Sequence, residues 1–120
     1  MALINDSETR DVYGINDEEK RRIIAFLQGA VYCWCKNKPG QWFSMRDLMG
    51  GENFNWAGTP LFALYEKHEE AGKDTESAIE DAGKDSGWLL KKVIKDDRRL
   101  FDTKQEDYIR KYIWIKDDKS

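Results

Sequence analysis

The stretch Thr75-Glu-Ser-Ala-Ile-Glu-Asp-Ala82-Gly83-Lys-Asp-Ser-Gly-Trp88-Leu89-Leu-Lys-Lys-Val93 decides how this 120-residue chain is read. Asp74 and Thr75 read as a helix start, Ala78, Ile79 and Ala82 as its apolar side, and Gly83 as its stop, because glycine tolerates the positive φ that closes a helix. Asp85 or Ser86 then caps a second helix running to about Asp97. At about 100° per residue from Leu89, the residues Val93, Leu90 and Ile94 fall within one arc of about 140°, which predicts a buried stripe. Lys91, Lys95, Trp88 and Lys92 fall on the other side, which predicts a solvent face of three lysines around one tryptophan. A continued helix brings Arg98 and Arg99 to the same face.

The charge changes sign across this stretch. Residues 63–83 hold two lysines against seven carboxylates, whereas residues 84–101 hold six cations against three carboxylates. The whole chain nevertheless carries a net charge of −3, which counts against a general nucleic-acid binder.

Upstream, residues 1–15 are polar and aperiodic and read as a flexible N-terminal arm, on which Val12 and Tyr13 are the groups able to dock. A helix starts at Asn16 or Asp17, with Glu19 as capping-box partner, and Ile23, Phe26, Leu27, Ala30, Val31 and Trp34 form its apolar stripe until Lys38-Pro39-Gly40. Gln41-Trp42-Phe43 is a short extended segment, and Ser44 caps a brief helix from Met45 to Met49. Thr59-Pro60 starts a further helix, with Leu61, Leu64, Tyr65 and His68 on one side, that ends near Gly72.

Downstream, Arg99 to Thr103 and Tyr108 to Ile115 read as the strands of a β-hairpin, with Ile109, Ile113 and Ile115 sharing one face. The fold class is therefore α+β and mainly α, with about five helices, a short first strand and a C-terminal hairpin. A single domain spans 16–116 and a disordered tail covers 117–120.

Residues 75–93, with Ile79, Ala82, Leu89 and Val93 flanking Gly83, resemble a helix-turn-helix. The hairpin that follows extends the resemblance to the winged helix-turn-helix superfamily over about residues 75–115. The resemblance implies double-stranded DNA as partner and a transcriptional regulator as role. Lys91, Lys92 and Lys95 would neutralise phosphates, Ser86 and the helix N-terminus would approach the backbone, Trp88 would make an apolar or stacking contact, and Lys84, Arg98 and Arg99 would extend the face. Trp42-Phe43-Ser44-Met45-Arg46-Asp47-Leu48 also resembles the strand-to-helix entry of a winged helix. That register would make the acidic segment Thr59 to Gly72 a rival recognition helix. The competing function is a protein-interaction or homodimerisation module using Phe54 and Trp56.

No chemistry announces itself. Cys33 and Cys35 point about 200° apart on a helix, so they cannot bridge, and they read as reduced thiols of a cytoplasmic protein. Together with His68 they make neither a usual metal spacing nor a clear nucleophile and base. Gly50-Gly51 lacks the lysine and strand of a phosphate loop. The expectation is a non-enzymatic chain without metal or cofactor. No uncharged run approaches about 18 residues, which predicts no membrane span, and no basic leader precedes an apolar run, which predicts no secretion.

Overall fold

The structure, a computed structural model, describes residues 10–50 and 56–116. The predicted anchor Phe54 and the predicted tail lie outside the described residues. The elements are α1 (Asp17–Asn37), α2 (Met45–Leu48), α3 (Phe62–Glu70), α4 (Thr75–Asp96), β1 (Leu100–Glu106) and β2 (Ile109–Lys116). The described residues thus form an α+β, mainly helical arrangement of four helices and one antiparallel hairpin.

The helix starts follow their caps. Asn16 accepts from the Glu19 amide at 2.7 Å while its own amide donates to Glu19 Oε1 at 3.0 Å, which satisfies two amides that have no partner inside the helix. Ser44 and Asp47 make the same reciprocal box at the start of α2. Within α1 the fully buried residues are Ile23, Leu27, Val31 and Cys35, an i, i+4 row, with Phe26 and Trp34 half-buried beside it. Val12 of the arm is buried in the same core, whereas Tyr13 is exposed.

The predicted break at Gly83 does not exist. α4 runs unbroken for 22 residues, and neither Gly83 nor Gly87 has a positive φ. The reason lies in the spacing. Ala78, Ala82, Ser86, Leu89, Leu90, Val93, Ile94 and Asp97 are all buried, and they follow a single 3.6-residue period straight through the glycines. A continuous apolar stripe outweighs about 1 kcal/mol of unfavourable glycine propensity at each position. Ser86, predicted as a cap and a backbone contact, is instead interior, its Oγ donating to the Gly83 carbonyl at 2.7 Å. Ile79, predicted to be part of a buried wedge, is exposed.

α4 packs on two neighbours. Its N-terminal half, where the buried side chains are small, meets α3 through Asp85, whose Oδ2 takes Lys67 Nζ at 2.8 Å and His68 Nε2 at 2.7 Å. Lys73 Nζ donates to His68 Nδ1 at 2.8 Å and to Asp81 at 2.7 Å. A nitrogen that accepts from an ammonium carries no proton, so the ring donates to Asp85 through Nε2. The C-terminal half meets α1 through Asp97, whose Oδ2 accepts from Gln28 Nε2 at 2.8 Å.

Asp97 also accepts from the amide, Nε and Nη2 of Arg99, at 2.8, 3.0 and 2.9 Å. Burial pushes its carboxyl pKa up, but the Arg99 and Gln28 hydrogen bonds outweigh burial and hold it below the usual aspartate value. The clamp ends α4 and aims the chain into the hairpin.

The hairpin corrects a second expectation. Its inner face holds Tyr112 and Trp114 with Phe101 and Thr103, not Ile109, Ile113 and Ile115; Ile115 is exposed. Strand parity is set by Phe43, which exchanges two backbone hydrogen bonds of 2.8 Å with Tyr112. Phe43 then sits among Trp34, Phe101 and Tyr112, with ring centroids 5.7, 6.3 and 6.0 Å away. Because side chains alternate along a strand, pairing Tyr112 inward turns the odd-numbered isoleucines away. The predicted four-residue connection 104–107 is instead a two-residue turn at Asp107 and Tyr108, so β1 ends three residues later than predicted, at Glu106.

Two outcomes test this fold. Gly83→Ala, with no atom within 4 Å of the added Cβ, should raise stability by about 0.5–1 kcal/mol in urea unfolding; a loss would restore the predicted turn. A carboxyl with a lowered folded pKa stabilises the fold above its unfolded value of about 3.9, and that contribution disappears as pH falls through the folded value. Asp97→Asn should therefore cost about 2–3 kcal/mol near neutral pH and flatten the decline in stability below about pH 4. An unchanged acid profile would contradict the clamp.

Candidate functional site

One side of α4, adjacent to its buried stripe, faces a half-open groove of about 1370 Å³. The α4 wall carries Ile79, Glu80, Gly83, Lys84, Gly87, Trp88 and Lys91. Across from it stand Ser44, Met45 and Arg46 at the start of α2, Trp56, Phe62 and Tyr65 before and within α3, and Gln105, Tyr108, Ile109, Arg110 and Tyr112 of the hairpin, with Arg10 also lining it.

Two features distinguish this surface. Among the described residues that line it, five are cationic, Arg10, Arg46, Lys84, Lys91 and Arg110, and one is acidic, Glu80. This is a concentration of positive charge in a chain whose net charge is −3. Second, aromatic rings line every wall. Phe62 and Tyr65 stack at 5.5 Å. Trp88 lies between two cations, with the Arg10 guanidinium 5.2 Å and the Lys91 ammonium 5.7 Å from the ring.

Local stability is given up along the same groove. Gly83 and Gly87 sit inside a long helix, where alanine is favoured. Asp107 and Tyr108 both have left-handed φ, 52° and 64°, as a two-residue type I′ hairpin turn requires. Tyrosine there carries strain of about 1–2 kcal/mol that glycine would not. Tyr108 is also 97% exposed, so its ring gains nothing from the core in return. Finally, Tyr112 is 1% exposed and its hydroxyl has no hydrogen-bond partner among the described residues. Burial raises its pKa, partly offset by the nearby Arg110 charge.

The eight residues predicted to form a DNA-binding face do not share one surface. Lys84, Trp88 and Lys91 line the groove. Lys91 is predicted on the solvent face, but the whole residue is 5% exposed, its ammonium 5.7 Å from the centre of the Trp88 ring. Ser86 also borders the groove but is 1% exposed, its hydroxyl donating back to the Gly83 carbonyl. Arg99 is held by Asp97 and stacks over the Tyr32 ring at 4.2 Å. Lys95 is half-buried; Lys92 and Arg98 are exposed, Lys92 lying 3.7 Å from Asp96. Trp56, predicted as a partner-binding anchor, is half-buried on the groove.

Sequence reasoning missed Arg10, Arg46, Tyr108, Arg110 and Tyr112. Arg110 and Tyr112 are two apart on β2 and so share a face, a signal that the isoleucine-based parity concealed. Arg46 lies in the Trp42 to Leu48 strand-to-helix entry.

The other chemically suggestive groups are accounted for. Both ring nitrogens of His68 are engaged in the α3–α4 clamp. Cys33 is exposed and Cys35 is buried, with burial raising the Cys35 thiol pKa despite the Arg99 charge. Among the described residues no group of three or more His, Cys, Asp or Glu could hold a metal ion, and no helix is long and apolar enough to cross a membrane. Comparison with known proteins finds no matching family model, and no curated protein or solved structure matches the chain.

Proposed function

We propose that the domain binds DNA through the groove between α4 and the hairpin, on a winged-helix-like scaffold, without catalysing a reaction. The element order supports the scaffold. A first helix is followed by the extended Phe43, shorter helices, a long helix and a hairpin, and Phe43 bridges the hairpin strand farther from that helix. In this arrangement α4 takes the place of the recognition helix and β1–β2 that of the wing. The reading differs from the sequence expectation in the face used: Lys84, Trp88 and Lys91 are kept, Arg46 and Arg110 join them, and Lys92, Lys95, Arg98 and Arg99 drop out.

The single observation that carries this reading is the charge of the groove: among the described residues that line it, five are cations and one is a carboxylate, Glu80, which lies 3.8 Å from Lys84. Phosphates are attracted to such a surface even when the whole protein is acidic, because screening over about 10 Å makes the local field decisive. Aromatic rings between the cations add a surface on which bases or sugars can pack.

The test is fluorescence anisotropy of labelled duplex and single-stranded DNA across a salt series. Micromolar or tighter binding should weaken with salt at a slope corresponding to about three to five phosphate contacts. Lys84→Gln with Arg110→Gln should weaken binding about tenfold and lower the slope by about two. Lys92→Gln with Arg98→Gln should change affinity less than about threefold. Loss of binding in the second pair rather than the first, or no salt-dependent binding at all, would overturn the proposal.

A further inference from the structure

The segment ahead of α1 reaches the groove with few bonds of its own. Among the described residues, 10–14 belong to no helix or strand and take part in no backbone–backbone hydrogen bond. Three contacts hold them. Val12 is buried in the core, the Tyr13 carbonyl accepts from Lys67 Nζ, which also pairs with Asp85 at 2.8 Å, and the Arg10 guanidinium lies 5.2 Å from the centre of the Trp88 ring at the groove. Arg10, Asp11, Tyr13 and Gly14 are exposed. A segment with one buried side chain and no backbone ladder opens at lower cost than the helices it lies on. Gly14, at φ 86°, turns the chain from this segment toward α1 and serves as its hinge. Arg10 and Lys91 both sit by the Trp88 ring, but they differ in kind. Lys91 is three residues along α4 from Trp88 and moves with it, whereas Arg10 reaches the ring from outside the helix and can leave while α4 stays as it is.

Resting on the reading of the groove as a DNA site, we infer that residues 10–14 form an autoinhibitory strap: Arg10 covers Trp88, and DNA binds in full only to the form in which the strap has swung away on Gly14. A ligand restricted to the open form binds with an affinity reduced by the fraction of molecules that are open, so whatever loosens the strap tightens binding. This reverses the usual sign for a basic residue at a nucleic-acid surface. Removing a cation that contacts phosphate weakens binding, whereas removing Arg10 strengthens it by uncovering the ring. Without Arg10 the groove still carries Arg46, Lys84, Lys91 and Arg110 against Glu80, so its charge keeps the same sign.

The experiment pairs two readouts in the full chain: acrylamide quenching of Trp88, assigned by difference against Trp88→Phe, and anisotropy of a labelled mixed-sequence duplex. Acrylamide is uncharged, so a change of charge beside the ring does not bias it. Two variants are compared with the parent. Arg10→Ala alters an exposed residue and removes the cation from the ring. Val12→Ala shortens the buried anchor and leaves every charge in place; it is measured well below its own Tm. In both, the Trp88 quenching constant should rise about twofold and DNA affinity about threefold or more. If quenching is unchanged in both variants, the strap does not cover Trp88 and the inference fails whatever the DNA does. If quenching rises while affinity falls or stays the same, the strap does not govern the groove, and the inference fails while DNA binding stands. If neither the parent nor the variants bind the duplex, the DNA reading falls and this inference with it.

Discussion

Asp97 ties α1 and the entry to the hairpin to one buried carboxylate at the end of α4. It takes the Gln28 side chain from α1, the Arg99 amide at the entry to the hairpin, and the Arg99 guanidinium. Removing any one partner leaves a charge or an amide without its match in a place water does not reach, which is why such a cluster fixes geometry more firmly than an exposed ion pair. Its consequence is directional. α4 ends at Asp96, β1 begins at Leu100, and the hairpin is delivered beside α1 so that Tyr112 can bridge Phe43. The groove follows from these contacts: α4 forms one wall, the hairpin tip another, and α2 and α3 close it because α3 is pinned to α4 through Asp85.

Several features of this architecture can be read from the residues. The capping box at Asn16, the N-cap at Ser44, the α1 stripe and the existence of a C-terminal hairpin all rest on local chemistry, and each stands where the sequence places it. What misleads is a conflict between local and long-range signals. Gly83 has the look of a stop, yet the apolar period runs through it, and Ala78, Ala82 and Ser86 are too small to be recognised as a stripe although they suit close approach of α3. The isoleucines of β2 look like the inner face, yet parity is decided by the bridge to Phe43, 69 residues earlier in the chain. The basic character of residues 84–99 is visible in the sequence. Its division between a groove face, a buried clamp and open solvent is not, because that depends on which neighbours pack on α4.

The fold departs from its own best stability in several places. Gly83 and Gly87 in mid-helix, Tyr108 in a left-handed turn and the Tyr112 hydroxyl, without a partner among the described residues, belong to residues that border the groove, whereas Gly29 within α1 and the buried Trp114 Nε1 lie away from it. The carboxylates of residues 63–83 pair locally, Asp81 with Lys73 and, together with Glu80, with Lys84, while cations outnumber carboxylates among the described residues that line the groove.

The most direct measurement is a map of backbone amide chemical shifts in the labelled protein during titration with a short oligonucleotide. The account predicts that the changes concentrate at Arg46, residues 83–91 of α4 and the hairpin from Gln105 to Tyr112, leaving Lys92, Arg98 and the outer face of α1 unperturbed. Changes centred instead on Lys92, Lys95 and Arg98, with the groove silent, would contradict it.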